Sequence, residues 1–299
     1  MKLKIVLYHI TALLIIVVWG STFVFTKILL LNGLTAAQVF ALRFIIAYVL
    51  LLAWSMTRKR FRFFASSVKD ELLMLALGIT GGSLYFLTEN TALNYTTTTN
   101  TSLIVCLCPL FAALLISLFY KSQRLRPIQI VGSLIAAVGV AVVVLNGQFV
   151  LHLSPLGDTL ALAACLCWAL YSLLMIPANG RYDVVFITRK VFFYGLLSII
   201  PYFIIYPEIP SLESLCRPDV LANLIFLGAI ASLLAFLVWN WLMKRLGAVT
   251  TTNYVYLNPV ITIIFAWMLL TEQITVYFLV GTILILAGMY LGQRKTKTN

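Results

Sequence analysis

Two stretches of the sequence decide the fold. Gly78–Pro109 reads GITGGSLYFLTENTALNYTTTTNTSLIVCLCP, and Gly228–Pro259 reads GAIASLLAFLVWNWLMKRLGAVTTTNYVYLNP. A shift of 150 positions brings identical residues into register. The pairs are Gly78/Gly228, Leu84/Leu234, Phe86/Phe236, Asn90/Asn240, Leu107/Leu257 and Pro109/Pro259. A period this long excludes a solenoid of short repeats, so the sequence predicts two copies of one unit, residues 1–149 and 150–299.

The composition indicates a membrane protein. The 299 residues are 62% hydrophobic and 10% charged, whereas soluble domains have about 25% charged residues. So few charges cannot cover a globular surface, and most of this surface must therefore face lipid. The net charge of +12 is spread over several loops and both tails, and we predict no nucleic-acid partner.

Ten apolar runs are long enough to be membrane spans, since a helix needs roughly 20 mostly apolar residues to cross a bilayer. They lie at about 7–31, 36–56, 71–93, 98–119, 128–146, 157–177, 184–206, 219–242, 250–270 and 275–292. Turn signals such as Asn32-Gly33 and Arg217-Pro218 separate them. The predicted fold is an all-α integral membrane protein with ten transmembrane helices joined by short loops.

The distribution of Lys and Arg sets the predicted orientation, because short cytoplasmic loops are enriched in both. With the N- and C-termini cytoplasmic, 16 of the 21 basic residues lie in cytoplasmic segments, four lie within helices, and Arg217 alone lies in an outer loop. Each unit has five helices, an odd number, so the second must enter the membrane upside down. Two inverted five-helix repeats are typical of secondary transporters, whose halves open a midplane site alternately to each side.

Three charged residues lie within consecutive predicted helices. Lys27, Arg43 and Glu89 all fall in the outer half of the bilayer, at about 1.5 Å rise per residue. Charges in hydrocarbon are costly and mark function by default, so one hypothesis is a cluster that binds substrate, with Glu89 as the proton-coupling group. The alternative left open by the sequence is a structural Arg43–Glu89 pair, with Lys27 extending to the headgroups.

Polar and aromatic residues on the same helix faces extend this candidate site. Trp19, Thr22 and Lys27 share one face of the first helix, and Tyr85 and Glu89 share one face of the third. Aromatic and amide groups complete the predicted substrate-binding set: Asn90, Trp168, Tyr171, Trp239, Asn240, Tyr254 and Asn258. This mixture favours an amphipathic organic solute over a bare ion. For any single aromatic residue, a place in the interfacial belt is the simpler explanation.

Prolines and basic residues inside the runs predict local features. Pro109 and Pro259 are mid-helix in the predicted spans, where each removes a backbone hydrogen bond and favours a kink. Paired kinks at equivalent places are candidate hinges for gating. Arg189 and Lys190 lie just inside the seventh predicted helix, and we expect both to extend to the headgroups.

Glycines recur with a spacing of seven in the fifth and tenth predicted helices. A shift of 149 places Gly132 on Gly281 and Gly139 on Gly288. Small residues on one helix side allow close helix contact. The sequence leaves open whether that contact forms within one half or across a homodimer.

No catalytic or metal-binding constellation is visible in the sequence. Four of the five cysteines lie in apolar runs, where free Cys behaves as a small packing residue. The nearest acid–base pair is Asp158 with His152, in a short outer loop. We therefore predict a protein that is not an enzyme and that has no cofactor and no metal site.

Short motifs extend along nearly the whole chain. They are Trp19-Gly20-Ser21-Thr22-Phe23 followed by Lys27, Arg43-Phe44, Glu89-Asn90-Thr91-Ala92-Leu93, Pro109-Leu110, Trp168-Ala169-Leu170, and Glu272 followed by Gly281 and Gly288. Together they resemble the drug/metabolite transporter superfamily, specifically its EamA-type ten-helix group. One departure is Ser122-Gln123, which stands where the family usually has an acidic residue after the fourth helix.

The resemblance implies a carrier with a central cavity lined mainly by helices one to four and six to nine. It makes Trp19, Lys27, Arg43, Glu89, Trp168, Trp239 and Tyr254 candidates for the cavity wall. Members of the family export amino acids and other metabolites or move nucleotide sugars and phosphorylated sugars. Some members use a proton gradient and others are facilitators.

The sequence thus predicts a multi-pass secondary transporter of the plasma membrane, the inner membrane in a bacterium. We expect it to export or exchange a small amphipathic metabolite, in the first place an amino acid, with proton coupling and as a monomer or homodimer. Two alternatives stay open. One is a carrier of phosphorylated-sugar or nucleotide-type anions, and the other is a non-transporting membrane partner protein.

Overall fold

The computed structural model describes residues 2–57, 61–96, 101, 104–120, 126–145, 154–207, 209–270 and 276–293. Within these residues the secondary structure is helical and contains no strand. Residues 121–125 with Ser122-Gln123, residues 271–275 with Glu272, and residues 294–299 lie outside them. The all-α prediction is confirmed for the described chain.

The main helices follow the predicted runs, and we number them in chain order. They are α1 (Lys2–Leu31), α2 (Ala36–Met56), α3 (Val68–Tyr95), α4 (Cys108–Phe119), α5 (Pro127–Leu145), α6 (Pro155–Arg181), α7 (Val184–Ile205), α8 (Pro218–Leu246), α9 (Asn258–Leu270) and α10 (Val276–Gln293). Short helices at Leu212–Cys216 and Ala248–Thr252 lie between them. By length and composition α1, α2, α3, α6, α7 and α8 can each cross a membrane, whereas α4, α5 and α10 contain shorter apolar helices.

Local sequence signals explain where helices begin. Thr35 forms a capping box at the start of α2: its hydroxyl accepts from the Gln38 amide at 3.2 Å, and the Gln38 side chain accepts from the Thr35 amide at 2.9 Å. Gly33, in the predicted Asn32-Gly33 turn, has a φ of 89°, which glycine adopts without strain. Ser154 is the N-cap of α6, and Asp158 in the first turn accepts from the Ser154 amide at 3.1 Å. Asp158 therefore has a structural role, and His152, the other member of the nearest acid–base pair in the sequence, lies outside the described residues.

The third and eighth helices contain π-helical segments at related positions. Ile79–Ser83 is π-helical in α3, and Phe226–Leu234 is π-helical in α8. Glycine permits close helix contact beside each segment. A Cβ at Gly78 would lie 2.5 Å from Tyr194 Cβ of α7, and a Cβ at Gly228 would lie 2.7 Å from Ile46 Cβ of α2.

The prediction that Pro109 and Pro259 lie in the middle of helices is wrong. A turn at Cys106–Leu107 precedes α4, and a 3-10 segment at Asn253–Leu257 precedes α9. Pro109 and Pro259 are each the second residue of the following helix. Proline is tolerated in a first turn, where the amide that it lacks would be unsatisfied in any case. The chain therefore breaks before each proline, and the proline starts the next helix.

Helices from the two halves of the sequence pack against each other. α1 packs on α9, and the equivalent helices of the other halves, α6 and α4, pack on each other in the same way. Likewise α2 packs on α8, and their equivalents α7 and α3 pack on each other. α2 also packs on α7, and α5 packs on α10. The main buried core therefore lies between residues of both halves.

The repeated glycines form the contact between α5 and α10. A Cβ at Gly132 would lie 2.5 Å from the Gly292 amide, and one at Gly139 would lie 2.7 Å from the Ile285 amide. Because the backbones touch, neither position has room for a side chain. The glycines thus join the two halves of one chain. The sequence left open a contact within one half or across a homodimer, and the contact that these glycines form is neither of the two.

Arg189 and Lys190 do not extend to the headgroups, contrary to prediction. Arg189 is 4% exposed and Lys190 is 2% exposed. Lys190 forms an ion pair with Glu71 of α3, and the Arg189 guanidinium donates to the Ser55 hydroxyl at 3.1 Å and to the Arg62 carbonyl. Both cations are therefore held inward by partners from the first half of the sequence.

Candidate functional site

A central cavity lies where the helix breaks of α4 and α9 meet α1, α2, α3, α6 and α8. Its volume is about 470 Å³ when its open side is included, but the centres of water molecules can occupy only about 40 Å³. Its wall consists of Trp19, Thr22, Phe23, Arg43, Tyr85, Phe86, Glu89, Val105, Cys108, Trp168, Phe236, Val255 and Asn258. The cavity is thus narrow, mostly apolar and supplied with one cation and one carboxylate.

Aromatic rings form most of the cavity wall. The rings of Trp19 and Trp168 meet edge to face with centroids 5.6 Å apart, and Trp168 lies 5.2 Å from the Tyr85 ring. Trp19 is fixed in orientation because its indole N–H donates to the Ala231 carbonyl of α8 at 3.0 Å. These residues face the protein interior, so for Trp19 and Trp168 the interfacial-belt explanation does not hold.

Arg43 and Glu89 line the same cavity without pairing. Both side chains are buried, with Arg43 3% and Glu89 8% exposed. No Arg43 nitrogen lies within 4.0 Å of a Glu89 oxygen. Arg43 donates through Nε to the Ser232 hydroxyl at 2.8 Å, and its guanidinium carbon lies 4.5 Å from the centre of the Phe86 ring. Glu89 accepts from the Tyr85 hydroxyl at 2.7 Å. The structural ion pair considered from sequence is therefore not formed.

Two buried polar atoms at the cavity have no hydrogen-bond partner within the described residues. They are the indole nitrogen of Trp168 and the side-chain oxygen of Asn258, in residues 4% and 6% exposed. Buried polar groups normally find partners, so each of the two is a candidate contact for a bound molecule. α4 begins at Cys108 and α9 at Asn258, both in the cavity wall. Helix N-termini carry positive partial charge and favour the anionic end of a ligand there.

The structure brings seven of the predicted site residues to this cavity: Trp19, Thr22, Arg43, Tyr85, Glu89, Trp168 and Asn258. Lys27 is placed elsewhere, since its ammonium donates to the Leu93 carbonyl in the last turn of α3 at 3.1 Å. Asn90 donates to the Ala36 carbonyl at 3.4 Å and so joins α3 to α2. Neither side chain lines the cavity.

The other predicted residues of the second half support the wall from behind. The Tyr171 hydroxyl donates to Asn240 at 2.6 Å, and the Asn240 amide donates to the Thr188 hydroxyl at 3.0 Å. Trp239 packs against the Trp19 ring with centroids 4.6 Å apart. The Tyr254 hydroxyl lies 2.5 Å from Nδ1 of His9, in α1.

Several wall residues were not predicted from the sequence. They are Phe23, Phe86, Val105, Cys108, Phe236 and Val255. Phe86 and Phe236 are identical at the shift of 150 and could have been found from that match. Cys108 was interpreted only as a packing residue. Val105 and Val255 carried no signal, because a valine in an apolar run resembles any lipid-facing residue.

The comparison with protein families gives a match over most of the chain. The model of the EamA-like transporter family matches residues 6–145 and 155–292. A relative from Archaeoglobus fulgidus, named an uncharacterized transporter, is 29% identical over 96% of this chain and 97% of its own length. A relative from Escherichia coli, named a probable amino-acid metabolite efflux pump, is 28% identical over 94% of this chain and 92% of its own.

A third relative and a solved structure agree with these matches. A protein from Streptantibioticus cattleyicolor, named a probable terminal-alkyne amino-acid exporter, is 27% identical over 76% of this chain and 74% of its own. A crystal structure superposes on this fold with a TM-score of 0.74 at 19% identity, over 95% of this chain and 96% of that one. At this identity the superposition supports the fold alone.

Proposed function

The chain belongs to the EamA-like transporter family, and on that premise we propose that it exports or exchanges an amino acid or a similar zwitterionic metabolite. The named functions of two relatives, amino-acid metabolite efflux and amino-acid export, support this class of substrate. The proposal places the protein in the plasma membrane as a secondary transporter, with no catalytic step.

The observation that carries the proposal is the separation of Arg43 from Glu89 in one aromatic cavity. Arg43 and Glu89 attract each other through space but form no direct ion pair, so each can still contact a ligand group of the opposite charge. An amino acid supplies both, because its carboxylate can bind Arg43 and its ammonium can bind Glu89. The Trp168 N–H and the Asn258 oxygen would complete the hydrogen bonds of the two ends. Lys27 has no part in this contact, since it caps α3.

Glu89 is the group that we assign to proton coupling. It is the one carboxylate among the cavity residues, and within the described part of the chain its hydrogen-bond donor is the Tyr85 hydroxyl. If a proton and the substrate ammonium compete for this carboxylate, proton entry from one side releases the amine on the other. Among the other proposed partners, Arg43 stays positively charged and the Trp168 and Asn258 groups are neutral, so Glu89 is the one that can exchange a proton for the amine.

The proposed mechanism is alternating access by rocking of residues 1–149 against 150–299. Ten membrane spans in two inverted repeats, with both termini cytoplasmic, are the architecture that it requires. Three observations support it: the π-segments in α3 and α8, the breaks before Pro109 and Pro259, and the reciprocal packing of helices between halves. The breaks are the proposed hinges, because each half-helix can rotate about the residues that precede its proline.

Efflux from liposomes tests this function. The purified protein is reconstituted, loaded with a pool of labelled amino acids, and followed with and without a pH gradient. We expect the wild type to release a defined subset faster when the gradient is present. Glu89→Gln should abolish the pH dependence, and Arg43→Gln should abolish release. Glu213→Gln is the matched control, because Glu213 is an exposed carboxylate outside the cavity.

Other outcomes assign other functions. Gradient-independent release that Glu89→Gln leaves unchanged would make the protein a facilitator. Release of phosphorylated sugars or nucleotides, but of no amino acid, would support the anion carrier, for which Arg43 and the two helix N-termini would be the binding groups. If the correctly folded wild-type protein transports none of these substrates, the result would support the non-transporting membrane partner.

A further inference from the structure

A second cavity lies apart from the central one, at one end of α2, α6 and α7. Its volume is about 1060 Å³ with its open side included, and the centres of water molecules can occupy about 460 Å³. Its wall comes from the end of α2, the α2–α3 connection, the α6–α7 connection and the first turns of α7, and it shares no residue with the wall of the central cavity. These connections place the second cavity at the predicted cytoplasmic surface.

Arg189, in the wall of the second cavity, is a buried cation without a direct ion pair. It is 4% exposed, and no carboxylate oxygen of the described residues lies within 4.0 Å of its nitrogens. Asp183 is the one acidic residue of the wall. It attracts Arg189 through space, but its carboxylate caps α7 by accepting from the Phe186 amide at 3.0 Å. Because a buried charge is costly unless it is paired, Arg189 favours an anion in the cavity that it lines.

The Arg189 guanidinium is held in position and keeps hydrogen-bond donors for a ligand. Its central carbon lies 4.5 Å from the centre of the Phe61 ring and 5.6 Å from that of the Phe186 ring, and both rings belong to the cavity wall. Arginine has five N–H donors. One of them bonds to the Ser55 hydroxyl at 3.1 Å and another to the Arg62 carbonyl. Among the described residues the other three donors have no acceptor, so a bound anion can accept from them.

Two further arginines, Arg62 and Arg181, add positive charge to the same wall. Arg62 is exposed and donates to the Ser66 hydroxyl at 2.9 Å. No carboxylate oxygen of the described residues lies within 4.0 Å of its guanidinium. Arg181 forms an ion pair with Asp70. The wall and its ion pair therefore contain three guanidinium groups and two carboxylates, and the cavity keeps an excess of positive charge.

The number of donors and the size of the cavity favour a phosphate group over a carboxylate. A carboxylate offers two acceptor oxygens, whereas a phosphate offers at least three and is matched in geometry by the arginine fork. Two guanidinium groups with donors to spare can therefore bind one phosphate together. The volume open to water, about 460 Å³, is more than ten times the 40 Å³ of the central cavity, so the phosphate can carry an organic substituent.

We propose that the second cavity is a binding site for a phosphate group, with Arg62 and Arg189 as its ligands. Arg62 belongs to the first half of the sequence and Arg189 to the second, so a bound phosphate joins the two halves at this end of the helices. Two sources carry this chemistry at a cytoplasmic surface: a soluble phosphate or phosphoester, and the headgroup of an anionic phospholipid. The site is independent of which solute the central cavity carries.

Thermal unfolding of the full-length protein in an uncharged detergent tests for a soluble ligand. Inorganic phosphate is titrated in parallel with sodium chloride of equal ionic strength, and the rise of Tm with ligand concentration gives an apparent Kd. We expect phosphate to raise Tm above its value in chloride. Arg62→Gln should weaken the apparent affinity about tenfold, because the hydrogen bonds that it removes are made to a charged group.

Two variants control for the sign and the position of the charge. Asp183→Asn removes the acidic residue of the wall, and asparagine still caps a helix, so phosphate should bind more tightly by up to about fivefold. Arg217→Gln is the matched control, because Arg217 is exposed but lies outside the cavity wall, and the affinity should stay unchanged. The Tm of each variant without phosphate shows whether it folds.

Lipid retention in native mass spectrometry identifies the source of the phosphate. The protein is given phosphatidylglycerol and phosphatidylcholine with identical acyl chains. Preferential retention of phosphatidylglycerol that Arg62→Gln lowers would assign the site to a lipid headgroup. Stabilisation by inorganic phosphate or glycerol 1-phosphate, with equal retention of the two lipids, would assign it to a soluble ligand.

Two results would overturn the proposal. The first is a Tm in phosphate equal to that in chloride together with equal retention of the two lipids. The second is an effect of Arg62→Gln no larger than that of Arg217→Gln, in whichever assay shows binding. An affinity that Asp183→Asn lowers would contradict the proposal in the same way, since removal of a negative charge from the wall must favour a bound anion.

Discussion

Loss of the Glu71 carboxylate should destabilise the protein far more than loss of an exposed carboxylate. Glu71 forms an ion pair with Lys190, whose side chain is 2% exposed. It also accepts from the Tyr194 hydroxyl at 2.5 Å and from the Ala65 amide at 2.7 Å. The substitution Glu71→Gln removes the charge and keeps the shape, so it leaves the Lys190 ammonium buried without a counter-ion.

The magnitude of this effect follows from the surroundings of the pair. Removing one partner of a buried ion pair costs about 3–5 kcal/mol. Two features reduce the loss. The Glu71 side chain is 21% exposed, so water screens part of its interaction. The Lys190 nitrogen also lies 5.1 to 5.8 Å from the centres of five aromatic rings, and such contacts stabilise a cation by about 0.5–2 kcal/mol.

We therefore expect Glu71→Gln to lower the free energy of unfolding by about 2–3 kcal/mol. At about 2–4 °C per kcal/mol for a chain of this order of size, Tm should fall by about 4–12 °C. Thermal unfolding in detergent measures this shift. Replacing Lys190 as well, in Glu71→Gln/Lys190→Met, should restore part of the loss because no charge then stays buried.

Asp219→Asn is the matched control for this prediction. It breaks the Arg217–Asp219 pair, whose side chains are 53% and 48% exposed. Exposed pairs contribute about 0–1 kcal/mol, so Tm should change by less than about 4 °C. A shift for Glu71→Gln no larger than that of Asp219→Asn would refute the reasoning, because it would mean that the buried ammonium does not need its partner.

Three further predictions concern other parts of the fold. Gly132→Ala should destabilise by about 1–3 kcal/mol, as overpacking commonly does, since its Cβ would meet the α10 backbone at 2.5 Å; Gly180→Ala, with no neighbour within 4 Å, should leave Tm unchanged or raised. Trp168→Phe should keep Tm within about 2 °C but reduce amino-acid efflux, because it removes an N–H without a protein partner. Trp19→Phe should lower stability by about 1 kcal/mol through loss of its bond to α8, and equal stability of the two Trp variants would contradict this assignment. Pro109→Ala should change stability by less than about 1 kcal/mol, since proline in a first turn replaces no helix hydrogen bond; a slower efflux rate at unchanged Tm would support a hinge, and an unchanged rate would exclude it.

The site was predictable to the extent that its residues differ from a membrane background. Arg43 and Glu89 stand out because charge is rare in hydrocarbon. Trp19 and Trp168 stand out because the shift of 149 that aligns the glycines also places one on the other. Whether Arg43 and Glu89 pair depends on a few ångströms between α2 and α3, which no spacing along the chain specifies. Lys27 met the same criteria as Arg43, but the structure places it at the end of α3.

The errors have similar physical causes. Pro109 and Pro259 were placed in the middle of helices because hydropathy does not distinguish a continuous helix from one broken by a turn or a 3-10 segment. Arg189 and Lys190 were expected to extend to water, since their distance from a helix end allows it. Their acceptors, Glu71 and Ser55, belong to distant parts of the chain, so burial followed from tertiary packing.

The sequence by itself determined that this is a helical membrane protein of the EamA-like family, where its apolar runs lie, and which charges are unusual. Composition is a count over the chain and hydropathy is an average over neighbouring residues, so both can be evaluated without knowledge of the fold. The tertiary structure alone decided that Arg43 and Glu89 share a cavity without a direct ion pair, that the glycines join α5 to α10, and that Arg62 and Arg189 line one basic cavity. Each of these depends on how helices far apart in sequence rotate and approach one another, and rotation by a fraction of a turn changes which side chains face each other.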